Sequence, residues 1–371
     1  MDMVAKRSRR VISHVNFFIF SSLVLVGGLI ASTILVSKNQ QLDSKAWGVT
    51  KLTNAGGWQY LSVNYNSACS YPEKPAPDNY QAVHPSVLYF PGGWKGYKFW
   101  MSVSPFPNDN AKCEHPHVFA SNTGRWKDWI QPTGNPVVPS VDPYEYEYSD
   151  ADLMMVGNTM YMFYRRNAKN GTDGYEDDDT VLYRISLCST CNSWSIPQAA
   201  TFVNVPGDQN NDVYKVRPSG KFASPSIFYE NSVWRMYYVD TIDKKVRYAY
   251  SNDGINFRYL KDISADYYPQ DPWHVEVFKY QTRYFMLLNQ TRAVPNPSLY
   301  LLTNDNTANW TNKGPILSPS SNPDAWDKSA IYRASAVVVD NQLMLWYSGF
   351  KEKNVHTGLI IDSTWNNWWY R

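Results

Sequence analysis

The residues of this chain whose types and spacing suit chemistry are carboxylates and histidines at the starts of short apolar, ring-rich segments. Glu276 closes Trp273-His274-Val275-Glu276, and Asp150 and Asp152 open Asp150-Ala151-Asp152-Leu153. Residues two apart on an extended strand face the same side, which pairs His274 with Glu276 and Asp150 with Asp152. Glu114 lies in Cys113-Glu114-His115-Pro116-His117, and His84 and Arg333 begin two further segments. Carboxyls held in unlike environments can divide the roles of general acid and general base. An arginine among them can hold a carboxylate or a ligand hydroxyl. The same polar residues can also do no more than hydrogen-bond one another across a wet channel.

Metal chemistry has weaker support in the spacing. Cys188-Ser189-Thr190-Cys191 lacks the second ligand pair of a structural zinc site and the βαβ setting of a redox motif. A disulfide at a hairpin tip, and a second one between Cys69 and Cys113, is the plainer expectation. The acidic run at residues 175–179 could offer oxygen ligands to a structural calcium ion, with a solvated hairpin tip as the alternative. No other cofactor is called for, and no metal ligand is assigned.

The elements that must position these residues are strands. Residues 223–257 show three segments rich in β-branched and aromatic residues, separated by Asn/Asp/Ser turns and ending in Ser251-Asn252-Asp253-Gly254. Alternating apolar residues between such turns mark antiparallel hairpins. The same pattern starts at His84, Asp150, Ser224, Trp273 and Tyr332, five copies in all. Copies of one small antiparallel sheet at roughly 50–75-residue intervals mark a propeller, with each first strand at the central channel. The fourth strand of each copy carries no clear signal. A two-sheet sandwich is the rival architecture, but it does not explain the recurrence. The expected fold is all-β, a five-bladed β-propeller over residues 81–371, with residues 38–80 as a stalk and packing segment.

Charge sorts the N-terminal end from the rest. Residues 1–37 hold four basic residues and one acid, whereas the remainder is nearly balanced within an overall charge of +2. That balance gives no basic surface for nucleic acid. Residues 11–36 contain no Asp, Glu, Lys or Arg, long enough for the ~20 residues of a membrane span. The basic flank predicts a cytoplasmic tail at residues 1–10, a transmembrane signal anchor at residues 11–37 and an extracytoplasmic propeller. A cleaved signal peptide is the alternative.

With five copies in hand, the chain resembles the five-bladed propeller glycosidase superfamily, which includes glycoside hydrolase families 43, 32, 68 and 117. The echoes are a turn-Pro-Ser/Asp opening at inner strands, Tyr/Trp-rich second strands such as Phe99-Trp100-Met101-Ser102 and Trp234-Arg235-Met236-Tyr237-Tyr238, and the Ser-Asn-Asp-Gly hairpin. The resemblance implies carboxylates facing the channel, an acid and a base about 6.5–9.5 Å apart in an inverting enzyme. The usual Asp, Asp, Glu triad is not intact, because the matching positions carry His84, Ser224 and Trp273 or Glu276. Under this resemblance Glu276 is the candidate acid and Asp152 or Glu114 the base. His84, Asp150, His274 and Arg333 position substrate, and Trp94 and Trp273 stack on sugar. The expectation is an extracytoplasmic, membrane-anchored propeller that hydrolyses glycosidic bonds in a glycan. A non-catalytic carbohydrate-binding propeller and a protein-interaction propeller are the alternatives.

Overall fold

A computed structural model of the chain describes residues 50–52, 81–125, 128–138, 146–168, 181–203, 223–241, 243–263, 265–266, 269, 271–304 and 309–365. The tail, the anchor and the run at residues 175–179 lie outside them. Among the described residues no helix is long and apolar enough to cross a membrane.

Five mainly antiparallel sheets succeed one another along the chain, two of them with a short parallel edge strand. Their inner strands are Ala82–Trp94, Tyr146–Val156, Ala223–Glu230, Pro272–Tyr280 and Ala330–Val339, in blades one to five. Each inner strand turns into its second strand through a two-residue loop: Trp94 pairs with Tyr97, Val156 with Thr159, Glu230 with Val233, Tyr280 with Arg283 and Val339 with Gln342. Asn231-Ser232 and Asp340-Asn341 have positive φ at both loop positions. That geometry matches the twist of the flanking strands and explains the Asn/Asp/Ser chemistry there. The Ser-Asn-Asp-Gly hairpin forms as expected. Ser251 Oγ accepts from the Gly254 N–H, and Asp253 accepts from the Ile255 and Asn256 N–H groups.

The outer strands are where sequence and structure differ most. Asn256–Asp262 is a fourth strand whose pairing with Lys245–Ser251 carries one register shift, and Thr201–Val203 adds to it in parallel as a fifth. Thr50–Leu52 pairs antiparallel with Asn354–Asp362 and so becomes the outer strand of blade five. These residues belong to the segment read as a stalk. A three-residue Thr-Lys-Leu strand has neither alternation nor turn signals to reveal it.

The core lies between blades. Phe99, Met101 and Phe119 of blade one pack on Met344, Trp346 and Leu359 of blade five. Trp100 and Val118 meet Met160, Met162 and Ile185 of blade two. Similar layers join blades two to three and three to four. Ring-rich second strands are thus blade-to-blade filler, which suits aromatic residues that bury large areas. Cys188 and Cys191 form the expected hairpin disulfide. Cys113 is also disulfide-bonded, while Cys69, its expected partner, lies outside the described residues.

Candidate active site

Near its start every inner strand carries one extra residue relative to its neighbour, a β-bulge that re-aims the side chains there. In blades one to three the bulge places His84, Asp150 and Ser224 at φ between 52° and 58°. Left-handed backbone at non-glycine residues is costly and persists where the surroundings enforce it. The bulges turn these residues into the channel.

Two layers of side chains result. The deeper one stitches the blades together around the channel. Ser86 Oγ accepts from Leu153 N, Asp152 from Ile227 N at 2.6 Å, Ser226 Oγ from Val277 N at 2.7 Å, and Ser335 Oγ from Val87 N. Ser335 Oγ donates to Glu276 and closes the circle. Asp152 therefore satisfies an inner-strand N–H group, and Glu276 joins the same layer through the Ser335 hydroxyl. Both carboxyls lie on Arg333 Nη2, at 3.3 and 3.8 Å, and interact directly with each other. Burial and the neighbouring Asp152 charge raise Glu276 well above the usual carboxylate range. Burial also raises Asp152, against the pull of Arg333. The pair accordingly holds one proton near neutrality, and its direct contact leaves no room for a sugar between the two carboxyls.

The layer nearer the mouth is built around Asp150. His84 Nε2 lies 3.6 Å and His274 Nδ1 3.4 Å from Asp150 Oδ1, with Arg333 Nη1 at 3.8 Å. Arg165 Nε reaches the other oxygen at 3.3 Å and is itself held by Glu147 at 3.0 Å. Ser149 Oγ and Asn167 Nδ2 also donate to Glu147. Glu114 lies 3.4 Å from His84 Nδ1. Burial lowers His84 to about 4 and His274 to about 3. Burial alone would raise Asp150, but His84, Arg165 and His274 hold it well below its ordinary value. Two neutral imidazoles and one carboxylate result. One ligand atom from each lies within 4.8 Å of the others. The ring nitrogens of both histidines and Asp150 Oδ1 are buried, and their contacts within the protein are the long ones to one another, to Glu114 and to Arg333, at 3.4–3.8 Å. A two-histidine, one-carboxylate donor set fits a divalent cation with open coordination positions. Glu114 behind His84 and Arg165 behind Asp150 are the outer partners that orient such ligands.

Tyr332 and Trp273 cover the cluster. The Tyr332 ring packs edge-on against His274 at 4.2 Å and stacks on His84 at 5.5 Å. Trp273 Nε1 donates to the Tyr332 hydroxyl at 2.9 Å, which leaves that hydroxyl's own proton to donate. Burial raises Tyr332 above its ordinary value, so the proton stays on.

The structure thus brings together six of the residues singled out by sequence, His84, Glu114, Asp150, Trp273, His274 and Arg333, with Asp152 and Glu276 one layer deeper. Arg333 is completely buried and reaches Asp150 and Asp152, so it positions those side chains. Trp94 is a correction. It sits at the far end of the 13-residue inner strand that carries His84, is 6% exposed, and packs edge-on against Trp100. Its Gly-rich surroundings belong to the hairpin at the opposite face. Arg165 and Tyr332 were missed as site residues. Arg165 reads as one more second-strand residue, and nothing local marks it as the partner of a carboxylate fifteen residues earlier.

No family model matches the chain. Among curated proteins it is 26% identical, over an alignment of 388 residues, to the A type blood N-acetyl-alpha-D-galactosamine deacetylase of Flavonifractor plautii. That alignment takes in 92% of this chain and 48% of the deacetylase, so the chain spans about half the length of the curated relative it matches. Among solved structures it is similar to an N-acetylgalactosamine deacetylase from F. plautii in complex with blood group B trisaccharide, with TM-score 0.61 and 19% identity over 82% of this chain and 95% of that one. It is also similar to a xylan beta-1,4-xylosidase from Bacillus halodurans C-125, with TM-score 0.52 and 12% identity over 76% and 52% of the two chains. The class is therefore a five-bladed β-propeller of the architecture shared by glycosidases and this deacetylase. At these identities the solved structures establish the fold alone.

Proposed function

We propose that the chain is a glycan-modifying hydrolase that removes the N-acetyl group of an amino sugar at the mouth of its central channel. The observation that carries this reading is the His84–Asp150–His274 cluster, whose buried ligand atoms converge beside the half-buried Trp273 ring. The similarity to a sugar deacetylase along 92% of the chain supports it. When bound there, a divalent cation would supply Lewis-acid polarisation of the amide carbonyl and a more acidic water. The chain's own residues do the rest. His84 and His274 stay neutral through burial and keep their nitrogens available. Asp150 stays ionised, and Arg165 holds its second oxygen away from the cluster. Glu114, paired with His84, is the carboxylate placed to take a proton from the attacking water. The Tyr332 hydroxyl, fixed by Trp273, donates to the oxygen on which negative charge develops. The exposed part of Trp273 is a stacking surface for the sugar ring.

Glycoside hydrolysis is the second reading, favoured by one observation: Glu276 is a carboxyl held protonated, as a general acid must be. It needs Glu276 and Asp152 to separate by several ångströms when substrate enters. Attachment to a membrane by residues 11–37, with the propeller outside the cytoplasm, is part of the proposal and rests on the charge pattern of residues 1–37.

One assay separates the readings. The full chain is incubated with oligosaccharides ending in N-acetylated amino sugars, and acetate and new reducing ends are both measured. Acetate without reducing ends, lost in Asp150→Asn and on chelation, is the expected result. Reducing ends without acetate would replace this reading with the second one.

A further inference from the structure

The Asp150 cluster is sealed. His84, Asp150 and His274 are 3%, 1% and 1% exposed, and Tyr332, which lies against both histidine rings, is 8% exposed. No sugar can touch a ligand atom there while Tyr332 keeps its place, so a reaction at the cluster requires a cover that moves. The remaining contacts of Tyr332 show what holds it. The Arg292 guanidinium lies 5.8 Å from the Tyr332 ring and 4.4 Å from that of Phe350, and the two rings meet edge-on at 5.2 Å. Arg292 Nη2 in turn donates to Asp109 Oδ1 at 2.7 Å.

Both partners of this ion pair come from loops that belong to the site. Arg292 follows Arg283–Gln290, the second strand of blade four, in a loop tied to both covering residues. Thr291 N donates to Asp271 O, just before Trp273, and Ile331 N, just before Tyr332, donates to Pro297 O. Asp109 ends the 3₁₀ turn Pro107–Asp109 of blade one, on the loop that goes on to Glu114. Phe106 and Ala111, on either side of it, pack in one apolar cluster with Tyr332, Phe350 and Trp273. The pair thus joins blade four to blade one beside the rings of blade five. Its side chains are 35% and 26% exposed, so water and salt reach it, unlike the sealed charges of the cluster. A part-exposed pair is weak and screened by salt, which suits a contact that must open and close. Covers of this kind exclude water while a reaction proceeds. We infer that Arg292–Asp109 is a latch that holds Tyr332 and Trp273 closed over the cluster, and that its parting admits ligands. The inference concerns access, and it holds whichever bond is hydrolysed at the cluster.

Carbethoxylation of histidines by diethyl pyrocarbonate, followed residue by residue by mass spectrometry on the chelator-treated full chain, reads how often the cover opens. When closing outpaces labelling, the rate follows the open fraction. His356, half-buried on the Asn354–Asp362 strand, is the internal reference. In the wild type, His84 and His274 label more slowly than His356. Asp109→Asn and Arg292→Gln each speed labelling of His84 and His274 about three- to fivefold and leave His356 unchanged, with folding confirmed by thermal melting. Asn tolerates the φ of 63° at position 109, so the first variant removes charge and not backbone fit. Raising sodium chloride from about 0.05 to 0.5 M reproduces the acceleration in the wild type but not in either variant. Lys279→Gln, which breaks the Lys279–Glu230 pair elsewhere on blade four, has no effect. The inference is overturned if His84 and His274 label as fast as His356 in the wild type, if salt leaves wild-type labelling unchanged, or if a folded latch variant labels no faster. Equal acceleration in Lys279→Gln also overturns it, because the effect is then a general loosening of the propeller.

Discussion

Replacing Asp152 by alanine distinguishes a blade-stitching carboxylate from a catalytic one. In the native protein Asp152 accepts from Ile227 N at 2.6 Å and from Ser86 Oγ at 2.8 Å, and it faces Arg333 at 3.3 Å. Hydrogen bonds to a charged acceptor contribute about 1.5–3 kcal/mol each, and breaking a buried ion pair costs about 3–5 kcal/mol. Glu276 moderates the loss. Freed of the Asp152 charge, it ionises beside Arg333 and takes over the pairing. The expected destabilisation at neutral pH is therefore about 3 kcal/mol, the low end of that range. Ser226→Ala removes one neutral acceptor from the same circle and leaves Val277 N unsatisfied, for about 1–2 kcal/mol. Asp152→Ser falls between the two, since Ser86, Ser226 and Ser335 show that a hydroxyl can fill the place. Urea unfolding followed by tryptophan fluorescence gives all three values. If Asp152→Ala unfolds at the wild-type midpoint while abolishing activity, Asp152 is a catalytic group and the stitching argument is refuted.

Three further predictions rest on the same geometry. The native state holds about one proton on the Asp152–Glu276 pair and none on His84 or His274 near neutrality, whereas the unfolded histidines titrate at their ordinary value of 6.5. Below pH 6.5 the unfolded chain binds more protons at these groups and stability falls with pH; above it the native state holds the extra proton and stability falls as pH rises. The site's contribution in chelator-treated protein thus peaks near pH 6.5, and Glu276→Gln abolishes the alkaline decline in the urea midpoint; a decline that persists in that variant contradicts the shared proton. Arg165→Met frees the second oxygen of Asp150 and weakens divalent-cation affinity by about 10–100-fold, read by calorimetric titration, while Arg165→Lys recovers part of it. In Gly254→Ala a Cβ would meet Arg184 Nη1 at 2.7 Å and Trp234 at 2.8 Å with φ at +71°, so unfolding should shift by at least about 1–2 kcal/mol.

The architecture was legible because its signal is repeated. Five inner-strand starts and four Tyr/Trp-rich second strands reinforce one another, and residues 223–257, the most regular copy, contain three strands of blade three and the first two residues of a fourth. The edges were not legible. Thr50–Leu52 is too short to alternate, and its partner strand lies some 300 residues away. At the site, sequence named the residues but not their layers. Asp150 and Asp152 read as neighbours on one face, yet the bulge between Ser149 and Asp152 sends one to the histidine cluster and the other to the blade-stitching layer. Periodicity assumes a regular strand, and a bulge breaks it where the chemistry lies. The two histidines and Asp150 come from three blades, so no local spacing could mark them as ligands.

The central claim is that His84, Asp150 and His274 form one divalent-cation site at the channel mouth. Its most direct test is the metal stoichiometry of chelator-treated full chain after titration with zinc or manganese and removal of free ion, in wild type and Asp150→Asn. One ion per chain in the wild type and none in a folded Asp150→Asn variant is the predicted result. A wild-type chain that retains no ion, or a variant that retains as much as the wild type, contradicts it.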